Sequence, residues 1–257
     1  MSPIELGLIG AIVFLIAGSV KGLVGIGLPT AAISMLTIFI DPRTAIAMGL
    51  VPIVVANAWQ VWSMGDIRGA FQRYWVFAFA LGISVFVTVS LSAEVSDRVI
   101  FLALGISIVA FAVLNLRFVM PAIPDRFDRV AQVGMGTIGG ILGGLSGVWV
   151  APVIMYMSAR GVQKDEFVRA TGLLLFIGGV PFFAAYVMQG FLTVPLAGVS
   201  LGLVLPTLMG FALGARLRNR LSNEKFKKVL LYVFLLPGLS MLRRGLFRAT
   251  PLVVKQI

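Results

Sequence analysis

Polar positions along this chain fall in short tracts, and the runs between them are apolar over the length of a bilayer crossing. Trp75–Leu91, Val99–Leu116, Leu173–Met188 and Val194–Leu213 meet or approach the roughly 20 apolar residues that a helix needs to span the hydrocarbon. The pattern predicts an all-α polytopic membrane protein. The most polar stretches, Arg117–Arg129 and Arg216–Lys228, read as loops and are too short for a separate soluble domain. The first run, Leu6–Val20, resembles a signal-peptide core. No basic residue precedes it and no small-residue cleavage site follows, so it is expected to stay in the mature protein.

The pattern occurs twice. Gly22-Leu23-Val24-Gly25-Ile26-Gly27-Leu28-Pro29 in the first half answers to Gly144-Leu145-Ser146-Gly147-Val148-Trp149-Val150-Ala151-Pro152 in the second, with Gly22/Gly144 and Gly25/Gly147 both 122 apart. Ala47–Leu50 aligns with Ala170–Leu173 at 123, Gly65 with Gly190 at 125, and Val95-Ser96 with Leu221-Ser222 at 126. A slowly growing offset in constant order is what a duplicated unit with short insertions leaves. Each unit reads as an apolar segment ending in the glycine element, a short apolar stretch (Thr30–Ile40, Val153–Ser158), and three full spans. These are Thr44–Ser63, Phe71–Leu91 and Val99–Leu116 in the first unit, then Val168–Met188, Val194–Leu213 and Phe226–Met241 in the second. The expected organisation is a first transmembrane repeat over residues 1–118, a cytoplasmic connecting loop over 119–129 and a second repeat over 130–257, with about 8–10 transmembrane segments in all.

Charge arbitrates between parallel and inverted repeats, because Lys and Arg collect in cytoplasmic loops. If the glycine element lies in one long crossing helix, the halves are parallel and the basic residues split nine to eleven. If it is broken or re-entrant, the halves are inverted and fourteen fall on one face. Arg43, Arg98, Arg243, Arg244, Arg248 and Lys255 are then opposite. The uneven split favours inverted repeats with both termini in the periplasm of a bacterial inner membrane, although the tail pair Arg243-Arg244 counts against it.

Composition sharpens this picture. Only 12% of residues are charged and the mean hydropathy is +1.03, while a soluble domain carries about a quarter charged residues. The net charge of +11 fits positive flanks retained at the cytoplasmic face better than nucleic-acid binding. With no Cys and no His, thiol chemistry, imidazole metal sites and a His proton relay are excluded, and no cofactor is called for.

Gly22–Pro29 and Gly144–Pro152 are helix breakers inside apolar segments. In lipid such backbone is tolerated only where protein or a water-filled cavity satisfies it. A short helix restarting near each Pro would aim free N–H groups at the break, a ready anion site. Paired broken helices at matching positions of two repeats are the best pointer to a transporter site. The alternative for any one glycine is close helix packing. Lys21, directly before the first element, is the only charge within an apolar segment. It is either a ligand-attracting cation or a side chain that snorkels to the interface. Gly143 stands near the equivalent place in the second half, so cationic help would be one-sided. The candidate substrate-binding set is Lys21, Gly22, Gly25, Gly27, Pro29, Asn57, Gly144, Ser146, Gly147, Trp149, Pro152 and Thr171; Gln60 is a further polar neighbour.

At these motifs the chain resembles the TauE/SafE sulfite-exporter family of membrane proteins. Gly22–Gly27, Gly144–Gly147 and Leu221–Leu230 carry the resemblance. Leu28 and Pro29, then Trp149 and Val150, stand where that family often continues its glycine run. The resemblance implies movement, usually outward, of sulfite, organosulfonates or related sulfur oxyanions and carboxylates.

The sequence therefore points to a secondary transporter of a small anion working by alternating access, with the lipid bilayer and its substrate as partners. Outward movement of an anion is favoured by roughly 2.3 kcal/mol per charge per 100 mV of negative interior. An embedded enzyme would need a nucleophile, base or metal cluster at depth, which these spans do not offer. A non-transporting scaffold or assembly factor is the other reading, and it leaves the paired breaks without a purpose.

Overall fold

The computed structural model describes residues 3–117, 121–218, 235 and 238–247, and every regular element among them is helical. In chain order these are α1 (Pro3–Val24), α2 (Leu28–Leu36), α3 (Pro42–Met64), α4 (Ile67–Leu91) and α5 (Asp97–Arg117). After a 3-10 turn at Asp125–Phe127 come α6 (Asp128–Ser146), α7 (Val150–Ala159), α8 (Lys164–Met188), α9 (Val194–Gly202) and α10 (Val204–Arg218). Residues 238–247 are also helical. Five stretches are long and apolar enough to cross a membrane: Ile4–Leu23, Pro42–Ser63, Ile67–Leu91, Glu166–Met188 and Val194–Leu217. Leu, Ile and Phe side chains such as Leu8, Phe79 and Leu205 face outward on them, as a lipid-facing surface requires. The protein is a multi-pass helical membrane protein.

Both glycine elements break the helix. α1 stops at Val24 and α2 restarts at Leu28; α6 stops at Ser146 and α7 restarts at Val150. Gly25 and Gly27 have φ of 85° and 94°, and Gly147 has 71°, a left-handed backbone that glycine adopts without a Cβ penalty. Pro29 follows in the first turn of α2, where a missing N–H costs nothing.

Several expected boundaries move. Arg117 ends α5 and Arg129 lies in the first turn of α6, so the connecting loop is shorter than Arg117–Arg129. Arg216, Leu217 and Arg218 belong to the last turn of α10, while residues 219–228 of the expected loop, and the segment Leu221–Leu230, lie outside the described residues. So does most of the expected span Phe226–Met241. The expected span Val194–Leu213 is two helices with a turn at Leu203. Pro206 has no N–H to offer the Gly202 carbonyl one turn back.

The helices pack reciprocally. α1 lies along α10, and α6 lies along α4. A Cβ added at Gly18 or Gly22 would sit 2.3 Å from the Thr207 carbonyl oxygen or 2.0 Å from that of Phe211. One added at Gly140 would sit 2.9 Å from the Leu81 carbonyl oxygen, and at Gly144 3.1 Å from that of Val85. Gly18/Gly140 and Gly22/Gly144 are 122 apart, while Leu81/Thr207 and Val85/Phe211 are 126 apart. The same backbone-to-backbone crossing is thus made twice, each half's first helix resting on the other half's fourth. Small residues serve this purpose in membranes, where van der Waals contact drives helix association.

α3 and α8 pack against each other at the centre. Gln60 donates from Nε2 to the Val168 carbonyl oxygen at 3.0 Å, whereas a Cβ at Gly179 would meet Val54 Cγ2 at 3.5 Å. Numbering falls along α3 as it rises along α8.

Candidate functional site

The first break is built around a buried cation. Lys21, in the last turn of α1, is only 1% exposed. Its Nζ donates to Asn57 Oδ1 and to Gln60 Oε1, both at 2.7 Å. Asn57 and Gln60 lie three residues apart on α3 and so present neighbouring side chains on one face. Both are buried, as is Thr171 of α8. Gln60 Nε2–H and the Thr171 hydroxyl donate to the same Val168 carbonyl oxygen, at 3.0 and 3.1 Å. Gly172 makes room for Gln60, since a Cβ there would lie 3.0 Å from Gln60 Cγ. Lys21 therefore does not snorkel; it is held inside by two amide oxygens.

Electrostatically this cluster is incomplete. No carboxylate among the described residues pairs with Lys21: the ion pairs formed there join Arg73 to Glu166, Arg160 to Asp125 and Asp128, and Arg169 to Asp66. Two of the three ammonium protons are engaged. Among the described residues the buried Nδ2 of Asn57 has no hydrogen-bond partner, nor does the buried hydroxyl of Thr30 in the first turn of α2. A buried charge and buried donors without acceptors are costly arrangements, and both are relieved by an oxyanion. Among the described residues no group of acidic side chains is placed to hold a metal.

The second break is apolar. Gly147, Trp149, Ile33, Ile46, Leu50, Ile53, Val54, Gly179 and Phe182 surround a small cavity. The Trp149 ring covers Gly143, where a Cβ would come within 2.5 Å of the indole, and it stacks edge-on against Phe182 with centroids 5.5 Å apart. The Trp149 Nε1–H is buried without a partner among the described residues. Ser146 spends its hydroxyl on the backbone, donating to Leu142 O at 2.6 Å and accepting from Val148 N at 3.1 Å. Pro152 lies beside Gly139.

The two breaks occupy equivalent places. Gly25 meets Val168 near the start of α8, with a Cβ contact of 3.8 Å to Cγ1; Gly147 meets Ile46 near the start of α3, at 3.5 Å to Cγ2. Ile46 and Val168 are again 122 apart. Because α3 and α8 pair Gln60 with Val168, the two breaks face opposite ends of α3. Ile46 and Gln60, fourteen positions apart, are separated by about 21 Å of helix.

The candidate residues thus separate into three groups. Lys21, Asn57 and Thr171 come together beside Gly25, with Gly27 and Pro29 following along the chain. Gly147, Ser146, Trp149 and Pro152 form the second break. Gly22 and Gly144 lie in the helix crossings. Gln60, outside the candidate set, completes the polar cluster, and Thr30, also outside it, is a separate buried hydroxyl in the first turn of α2. Gln60 was legible as the second amide on one face of α3; Thr30 carried no signal until its hydroxyl proved buried and unbonded.

Residues 10–241 match the family model described as sulfite exporter TauE/SafE. No curated protein and no solved structure matches the chain. The match covers both glycine breaks, the Lys21 cluster and both helix crossings. Together with a helical, multi-pass architecture, it establishes that the chain belongs to the sulfite exporter TauE/SafE family of membrane transporters, whose substrates are small sulfur-containing anions.

Proposed function

We propose that this protein exports a small sulfur oxyanion across the bacterial inner membrane by alternating access, binding it at the first break against Lys21 and Asn57. The observation that carries the reading is a buried ammonium group held by two neutral amide oxygens, beside a buried amide N–H with no acceptor among the described residues. An ionisable residue at this depth marks a substrate pathway by default. A sulfur oxyanion would take up the third Lys21 proton and the Asn57 N–H and would supply the missing negative charge. The restart of α2 beyond Gly27 adds the positive end of a helix.

Alternating access requires two halves that rock against each other, and we take them to be inverted repeats. The opposed numbering of α3 and α8 supports this, since equivalent helices run antiparallel only when the repeat is inverted. Charge placement agrees. Arg43 donates to the Ser92 and Val95 carbonyls, Arg98 to Gly245 and Arg244 to Thr37. One end therefore gathers three of the basic residues assigned to the sparser face. Arg73, Arg160 and Arg169 lie at the other end, tied to Glu166, Asp125 with Asp128, and Asp66. Two-fold related breaks at opposite ends of α3 would open in turn as the halves rock.

The experiment is uptake of labelled sulfite or methanesulfonate into inside-out membrane vesicles energised to an interior-positive potential. Accumulation that depends on the protein and on the potential is expected. Accumulation equal to vesicles lacking the protein would remove the transport reading and leave a scaffold.

A further inference from the structure

We infer that the Lys21 site selects singly charged oxyanions and turns away doubly charged ones, a conclusion that rests on the anion-binding reading above. The site carries one positive charge. Around Lys21, α2 and α9 contribute no ionisable side chain, and α3 contributes the neutral Asn57 and Gln60. On α10, Arg216 is exposed. Near the start of α8, Glu166 is paired with Arg73 and hydrogen-bonded by Tyr74, and Arg169 is paired with Asp66 at the turn into α4. These flanking charges neutralise one another, so among the described residues Lys21 alone sets the charge of the site.

A monoanion makes the occupied site neutral. A dianion of the same shape leaves one uncompensated negative charge in a buried environment, and the unpaired part carries the desolvation cost of a buried ion. The donors point the same way. Among the described residues Lys21 has one free proton and Asn57 one unpartnered amide nitrogen, whereas recognition of buried dianions calls on several charge-assisted donors. The species carried would then be hydrogen sulfite or a sulfonate rather than the sulfite dianion.

Purified protein in detergent would be tested by thermal stabilisation with methanesulfonate, sulfate and sulfite over a range of pH, since a ligand that binds only the folded state raises its stability. Methanesulfonate and sulfate share a tetrahedral shape and differ in charge. Methanesulfonate is singly charged throughout and so reports any change in the protein itself, including Lys21. The expected result is stabilisation by methanesulfonate, binding of sulfate weaker by roughly tenfold or more, and a sulfite effect that falls relative to methanesulfonate as pH rises through the second ionisation of sulfite. Sulfate stabilising as well as methanesulfonate, or a relative sulfite effect that grows with pH, overturns charge selection while anion binding stands. Stabilisation by none of the three at any pH overturns both.

Discussion

The Gln60 amide nitrogen lies 3.0 Å from the Val168 carbonyl oxygen, while its amide oxygen receives Lys21 Nζ at 2.7 Å. One side chain therefore links the cation at the first break to the helix that packs over that break from the other half. A movement of α8 against α3 would disturb Gln60 and, through it, the position of Lys21.

Replacing Lys21 by Met keeps most of the stem and removes the charge. Methanesulfonate binding is expected to fall by about tenfold to a hundredfold, the worth of a charge-assisted hydrogen bond. Folding should survive, because exchanging a buried ion for an apolar side chain is often neutral. Asn57→Asp provides the complementary case: a carboxylate beside Lys21 would supply the counter-charge permanently, raising the melting temperature and abolishing anion binding. Parental affinity in both variants, measured by thermal stabilisation or calorimetry, would remove Lys21 from the site.

Gln60→Leu would remove the bond from α3 to the Val168 carbonyl and leave Lys21 with only Asn57. A loss of about 1–3 kcal/mol is expected from the polar groups left short of partners, read as a lower melting temperature in detergent. Gln60→Glu should behave differently: it pairs with Lys21, holds its stability better and loses anion binding. If Gln60→Leu melts with the parent, the link across α3 and α8 carries no energy.

The helix crossings and the breaks make separable demands on glycine. Gly22→Ala sets a Cβ 2.0 Å from the Phe211 carbonyl oxygen and should cost about 1–3 kcal/mol through forced separation of α1 and α10. Gly7→Ala, with open space around it, should be neutral or slightly stabilising, since Ala favours helix over Gly by up to about 1 kcal/mol. Equal melting temperatures for the two variants would contradict the packing role assigned to Gly22.

At the breaks, Gly25 has room for a methyl group, its nearest neighbour being Val168 at 3.8 Å, whereas Gly147 is confined by Ile33 at 3.0 Å. Both carry a positive φ, so Ala strains either by about 1–2 kcal/mol, with a further steric loss at Gly147. Gly147→Ala is expected to be the less stable variant and Gly25→Ala the one more impaired in anion binding. Gly25→Asn, a side chain that tolerates this backbone, should recover stability. The reverse ordering would place the ligand at the second break.

Topology is accessible because the chain has no cysteine. Phe39, between α2 and α3, and Gln163, between α7 and α8, are exposed and occupy corresponding turns of the two halves. Single Phe39→Cys and Gln163→Cys variants in intact cells would be treated with an impermeant thiol reagent. Inverted halves place Phe39 outside and Gln163 inside, so only the first should label. Equal labelling of the two would mean parallel halves.

The sequence alone determined the helical, membrane-spanning character, the position of both glycine breaks and the family. Each follows from short-range physics: lipid demands long apolar runs, and a glycine element ending near a proline interrupts any helix wherever it packs. The α1–α10 and α6–α4 crossings, the burial of Lys21 and the separation of the two breaks depended on which helix lies against which, and spacing along a chain does not encode that. Gly22 and Gly25 illustrate the limit. They are three residues apart in one motif and look alike in sequence, yet the first faces a carbonyl of α10 and the second faces Val168 of α8 with a left-handed backbone. Asn57 and Gln60 were visible as polar residues in an apolar span, but only the packing of α1, α3 and α8 around them turned two amides and a lysine into a cluster with one buried charge and no counter-ion among the described residues.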